Sequence, residues 1–232
     1  MGINMPEEKL SSLELQDVFD KMSDSNLTSY EYLANFIYNK VGLCLNTGKL
    51  DIEGDKEGCW GGVQAKQYPE ELAKLLVFVY NNRYSIKSYC EIGVERGGTF
   101  FVVDSFLRSV NPNMGQSLAI EMSSRREKLF HEYIKKYPQV TFKCINSHNL
   151  EVDRDYDFCF IDGDHSYSGC KQDFEMMKPF SKFIAFHDIY FGGATVKDFW
   201  AELDGRKHEF LNDDKRFPVP LGIGLWVKEL SL

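Results

Sequence analysis

Between Ser88 and Asp188 five short apolar runs recur: SYCEIGV, QSLAIEM, VTFKCIN, YDFCFID and FIAFHD. Each is separated from the next by a stretch long enough for a helix. Runs of this length and character are strands buried on both faces, as in a parallel sheet covered by helices. The alternation leaves few topologies open. Sequential strand–helix–strand units cross over right-handed and build an open, doubly wound sheet. A helix around Lys197–Leu203 is followed by two more runs, one near Lys207–Leu211 and the other LGIGLWVKEL. These fit a terminal antiparallel hairpin, so a mostly parallel, seven-stranded α/β sheet is expected.

The chain before this block has a different character. Ser11-Ser12-Leu13-Glu14 has the capping-box pattern, and Leu15, Val18, Phe19 and Met22 follow at helical spacing. Thr28 with Glu31 repeats the pattern before a second stripe, Leu33, Phe36, Ile37 and Val41. Residues 46–62 are polar and glycine-rich and read as a loop. Pro69 suits the first turn of a third helix, with Leu72, Leu75, Leu76 and Val79 turned inward. The expected division is a helical extension over 1–62 and one α/β domain over 63–232.

The 232 residues carry a formal net charge of -8. An acidic balance argues against a nucleic-acid backbone as the partner. No stretch of about 18 apolar residues suggests a membrane span. The first ten residues lack the pattern of a secretory leader, and Pro6 stands where a myristoylation signal needs Ser or Thr. The six cysteines, Cys44, Cys59, Cys90, Cys144, Cys159 and Cys170, form no CxxC pair. Buried free thiols in a reducing cytoplasm are expected, with Cys90, Cys144 and Cys159 inside strands.

In a doubly wound sheet, ligands bind at the carboxyl ends of the strands. The first strand ends in EIGVERGGT, where Gly93, Gly97 and Gly98 allow a tight turn and a close backbone approach to a ligand. The GxxxGG spacing departs from the GxGxxG of dinucleotide folds. The second strand ends in Glu121, 28 positions after Gly93. An acid there can accept hydrogen bonds from both hydroxyls of a ribose. The fourth strand delivers Asp162-Gly163-Asp164-His165 and the fifth His187-Asp188. Neighbouring strands lie about 4.8 Å apart, so carboxylates at both ends can reach one cation, for which oxygen ligands suggest magnesium. Blander readings exist for each residue. Asp164 can cap the helix beginning near Ser168, and a lone loop histidine is usually solvated.

EIGVERGGT, IEM, FIDGDHSY, FHDI and the later DFW together resemble the class I S-adenosylmethionine-dependent methyltransferases, in the group related to macrocin O-methyltransferase and cephalosporin hydroxylase. The resemblance runs from about Gln67 to Trp200, with FIDGDHSY its most specific piece. It implies a Rossmann-like fold and S-adenosylmethionine as cofactor. It further implies that Gln67, Glu91, Gly93, Gly97, Gly98, Thr99 and Asp162 line the cofactor, that Glu121 holds its ribose, and that Ser147-His148 lies beside the adenine. Asp162 matches a metal ligand and His165 a base. Relatives often carry an acid before the last Asp where this chain has His187, which leaves His187 as a ligand of Mg2+ with Asp162 and Asp188, a base, or an orienter of Asp188. The implied reaction is methyl transfer to a hydroxyl of a sugar or other polyhydroxylated small molecule, with residues 1–62 covering the acceptor, in a chain that can form a homo-oligomer. The rivals are a nucleic-acid methyltransferase, an NAD-dependent oxidoreductase disfavoured by the glycine spacing, and a non-catalytic protein on the same scaffold.

Overall fold

The computed structural model describes residues 9–43, 62–124, 127–217, 219 and 221–229. The expectations for the first residues, for Cys44 and Cys59, and for nearly all of the loop 46–62 lie outside the described residues.

Seven strands form one sheet: β1 (Tyr89–Ile92), β2 (Ser117–Glu121), β3 (Val140–Cys144), β4 (Phe158–Ile161), β5 (Phe183–His187), β6 (Arg206–Phe210) and β7 (Ile223–Val227). Their spatial order is β3-β2-β1-β4-β5-β7-β6. Strands β1 to β5 pair in parallel, while β7 runs antiparallel to both β5 and β6. The chain winds outward from β1 to β3, then returns to β1's other side with β4. The switch point therefore lies between β1 and β4, where such sheets open a crevice.

Alternate residues of each strand feed two cores. Tyr89, Ala119, Phe158, Phe160 and Phe183 face one side, and Cys90, Ile92, Cys159, Ile161 and Ile184 the other. The first side is covered by α4 (Pro69–Asn81) and α5 (Gly98–Val110), the second by α7 (Tyr167–Met177) and α8 (Val196–Glu202). Pro69 opens α4 at its first turn, as expected. Helix α6 (Glu127–Lys136) lies against β3.

The described N-terminal part shares the first core. Short helices α1 (Leu15–Phe19), α2 (Asp24–Leu27) and α3 (Tyr30–Phe36), with a π-turn over Ile37–Val41, bury Leu15, Phe19, Leu33, Ile37 and Val41 in it. Phe19 meets Phe106 of α5 edge-on at 5.3 Å between ring centroids. Each such fully buried side chain contributes roughly 1.5–3 kcal/mol. At the first capping box Glu14 takes the Ser11 amide at 2.8 Å. At the second, Ser29 rather than Thr28 is the cap: its hydroxyl accepts the Tyr32 amide, while Thr28 donates its own to Asp24 O. Met22 lies beyond the end of α1, because the chain turns there into α2. Cys90, Cys159 and Cys170 are buried free thiols, whereas Cys144, at the last position of edge strand β3, is exposed.

Candidate active site

A cavity of about 970 Å³ opens across the carboxyl ends of β1, β2, β4 and β5. That is the upper end of small-molecule sites, with room for a nucleoside-sized cofactor and a small second molecule. Glu121, Met122, Asn146, Ser147 and His148 line one wall; Asp162, His165, His187 and Asp188 stand at the centre. Lys66, Tyr68, Phe191, Val219 and Leu221 line the rest of the rim. None of residues 9–43 lines it.

The floor is set by backbone. Gly93 turns out of β1 with φ +84°, and a Cβ there would lie 2.3 Å from the Asp162 carbonyl oxygen. Only glycine lets β1 and β4 end so close together. Gly97 also has φ +82°, but a Cβ there would meet the rings of Phe101 and Phe130 at 2.6 and 2.8 Å. Its constraint is packing, so the expected approach to a ligand does not account for it. Gly98 starts α5 against the Gln64 carbonyl, 2.4 Å from where its Cβ would be. Glu91, Gly98 and Thr99 border a small void of about 20 Å³, the size of a water, that adjoins the large cavity and shares Lys66, Gly93, Glu95 and Asp162 with it. Glu91 is fully buried, bonded by the Tyr89 hydroxyl, and burial pushes its carboxyl well up. Gln67 is buried too, donating to Asp162 Oδ2 at 2.7 Å and accepting the Thr99 hydroxyl. It acts on the cavity through Asp162. Glu121 accepts the backbone N–H of Glu95 at 2.8 Å and of Ser123 at 2.9 Å. Two amides thus fix its carboxylate at the cavity wall.

The central four residues alternate in charge. The β4–β5 register sets Ile161 beside Phe186, and hence Asp162 beside His187. His187 Nδ1 lies 3.1 Å from Asp162 Oδ1 and 3.4 Å from Asp188 Oδ1. Asp188 leaves β5 with φ +63°, a left-handed conformation uncommon outside glycine. The turn aims its Oδ2 at His165 Nδ1, 2.7 Å away. A carboxylate only accepts, so Nδ1 carries the hydrogen, and the neutral imidazole keeps a lone pair on Nε2. The bond to Asp188 raises the His165 pKa against the effect of burial. Burial opposes charge on His187, but Asp162, Asp188 and the nearby Glu71 outweigh it and push its pKa up to about 9. His187 is therefore a buried imidazolium near neutral pH. Asp188 is depressed: burial works to raise it, and the two histidines more than offset this. Glu71, buried on α4, is pushed up to about 7 by desolvation, partly countered by His187 and by the Gly222 amide it accepts.

This set does not fit the expected magnesium on Asp162, Asp188 and His187. A divalent cation takes open carboxylate oxygens and neutral imidazole. Here Asp162 already holds Gln67 and His187, and Asp188 holds His165. Among the described residues no group of three or more His, Cys, Asp or Glu is arranged to hold a metal ion.

Sheet order, glycine turn and strand-end acids define a class I methyltransferase fold, and the comparisons agree. Residues 90–189 match the model of a methyltransferase domain family, a stretch that contains the glycine turn and the four central residues. Among solved structures the chain is similar to the O-methyltransferase TomG from Streptomyces achromogenes, involved in tomaymycin synthesis, in complex with SAM. The identity is 15%, the TM-score 0.52, and the match covers 71% of this chain and 82% of that one. It is also similar to the SAH-bound Podospora anserina methyltransferase PaMTH1, at 17% identity, TM-score 0.50, and 71% and 80% coverage. An rRNA methylase from Streptococcus thermophilus matches at 9% identity and TM-score 0.50, over 67% of this chain and 96% of that one. At these identities the likeness is one of fold. No curated protein matches the chain in sequence.

Sequence reasoning brought Glu121, Ser147, His148, Asp162, His165, His187 and Asp188 to one cavity, and the structure joins all seven there. It missed Lys66, Tyr68, Phe191, Val219 and Leu221 as cavity residues; Tyr68 and Leu221 stand just at the edges of a helix and a strand run that were read for their fold alone. It also missed Glu71 and Asp173. Both are acids on the buried faces of helices, Asp173 among Cys170, Phe174 and Met177 and Glu71 beside Leu72 and Leu75, and that position was the available signal.

Proposed function

We propose that this protein methylates a hydroxyl of a small, hydroxylated ring compound, with a sugar or other polyol as the leading acceptor class and His165 as the base. The observation that carries the reading is the His165–Asp188 pair at the cavity, in which Nδ1 is bonded to Asp188 and Nε2, 3.8 Å from Asp162 Oδ1, makes no hydrogen bond of its own. S-adenosylmethionine supplies a methyl group on a sulfonium, already a good leaving group. The chain's work is alignment and deprotonation. Glu121 offers two carboxylate oxygens to the ribose hydroxyls. His165 Nε2 takes the acceptor proton as the oxygen–methyl bond forms and the sulfur–methyl bond breaks. Asp188 keeps Nδ1 protonated and stabilises the resulting imidazolium, as in other His–Asp pairs. Buried His187 holds Asp162 and Asp188 in place without a metal. Tyr68, Phe191 and Leu221 give the acceptor's ring an apolar face to lie against.

That apolar rim equally favours a phenolic ring, a second reading that the same assay separates. Glycosides, polyols and phenols are presented with labelled cofactor, and label transfer identifies the acceptor. With it in hand, His165→Gln is expected to lose about 10²–10⁴ in kcat while keeping S-adenosylhomocysteine affinity. Its residual rate should climb with pH as the acceptor ionises by itself. EDTA should leave wild-type turnover unchanged. Full activity in His165→Gln removes the base assignment; loss of turnover in EDTA, restored by magnesium, removes the metal-free one.

A further inference from the structure

We propose that Asp173 fixes the tautomer of His148, and that this pair makes the cavity accept a 6-amino purine in preference to a 6-oxo one. The inference rests on the S-adenosylmethionine reading above. Asp173 sits on α7 with no exposed surface; neither carboxylate oxygen closes a hydrogen bond of ordinary geometry, and its polar neighbours are the Ser147 hydroxyl and the His148 ring. Buried carboxylates are costly and seldom left so. Its Oδ1 lies 3.7 Å from His148 Nε2, which is buried and equally without a partner. The His148 ring thus spans from a buried carboxylate to the cavity wall, which it lines beside Ser147 and Asn146. Its backbone is held in place, the amide donating to Asn146 Oδ1 at 3.0 Å. Burial pushes the Asp173 carboxyl up, with the Ser147 hydroxyl and the His148 ring pulling against it.

A movement of about 1 Å brings the pair to charge-assisted bonding distance. Because a carboxylate only accepts, Nε2 then carries the hydrogen and Nδ1 keeps its lone pair. Glu121 and Met122 line the same wall at the end of β2. A nucleoside whose ribose is held by Glu121 directs its base along that wall. A lone pair on Nδ1 accepts the exocyclic N–H of adenine and repels the carbonyl oxygen of hypoxanthine. Asp173 is thus a positioning residue acting through His148.

The test is calorimetry with S-adenosylhomocysteine and S-inosylhomocysteine on the wild type and on Asp173→Asn. The wild type should prefer the adenosyl compound by about tenfold to a hundredfold. In Asp173→Asn the partner of Nε2 loses its charge and can donate as well as accept, so the Nε2–H tautomer is no longer enforced and the imidazole hydrogen is free to move to Nδ1. Adenosyl affinity should fall about tenfold, and the preference should vanish or invert. A merely structural role for Asp173 weakens both ligands by the same factor, and that outcome overturns the proposal. Imidazole ¹⁵N shifts of wild-type His148 in the S-adenosylhomocysteine complex, assigned by their loss in His148→Gln, give a measurement independent of the variant's folding. The Nε2–H tautomer supports the proposal; an Nδ1–H or doubly protonated ring overturns it. If the wild type binds neither compound, the cofactor reading itself fails and this inference with it.

Discussion

Replacing His187 by Gln keeps a donor for Asp162 but removes the buried positive charge. The cost can be worked from the shift. The imidazole rises from an ordinary 6.5 to about 9 in the folded protein. At about 1.4 kcal/mol per pKa unit, the charged ring contributes about 3 kcal/mol to folding. The sign follows from the direction. A raised histidine binds its proton more tightly when folded, so its contribution is complete below pH 6.5 and is lost as pH rises through 9. Urea unfolding of the wild type and His187→Gln, followed by circular dichroism, should therefore differ by about 3 kcal/mol at pH 6. The gap should close toward zero by pH 10. At pH 6 it corresponds to roughly 6–12 °C in Tm for a chain of this size. A gap that stays constant from pH 6 to pH 10 means that the ring is neutral in the folded protein. The account of Asp162 and Asp188 as a pair held by an imidazolium is then wrong.

Glu71→Gln should show the same sense in a different window. Its carboxyl is raised from 4.5 to about 7, so wild-type stability falls as pH rises between those values. The variant should gain up to about 3 kcal/mol on the wild type over that range; parallel stability curves would dismiss the shift. Gly97→Val meets two aromatic rings in a left-handed backbone conformation and should cost more than about 3 kcal/mol. A thermal melt unchanged from wild type would contradict this. Glu121→Ala should weaken S-adenosylhomocysteine by about one to two decades with the fold intact, the loss of a charged hydrogen-bonding group. Unchanged affinity by calorimetry takes Glu121 out of the site.

The sheet was legible because buried strands between helices leave an unmistakable pattern, and the site because strand ends converge in such a sheet. Asp162, His165, His187 and Asp188 were all identifiable as strand-end residues. What they do to one another was not. Whether two carboxylates and two imidazoles gather a metal or pair among themselves depends on a register and on the φ of Asp188, neither of which has a sequence signature. Gly97 illustrates a related limit. A glycine in a ligand-binding turn was read as facing the ligand, whereas its missing side chain makes room for Phe101 and Phe130. Thr28 and Ser29 are equally good caps on paper, and tertiary packing chose between them.

The connection between β6 and β7 is tied to α4 at several points. Lys74 donates to Leu211 O, Glu70 accepts the Asp213 amide, and Glu71 accepts that of Gly222. Val219 and Leu221, on this connection, and Tyr68, at the start of α4, line the cavity rim. The groups proposed to hold the donor and remove the proton come instead from the ends of β2, β4 and β5. On the proposed reading, the two halves of the reaction are thus written in separable stretches of the gene. Changes at Val219 or Leu221 would then retune which molecule is methylated while leaving the proposed machinery untouched, so that a lineage built on this scaffold could change its substrate by small steps in one loop.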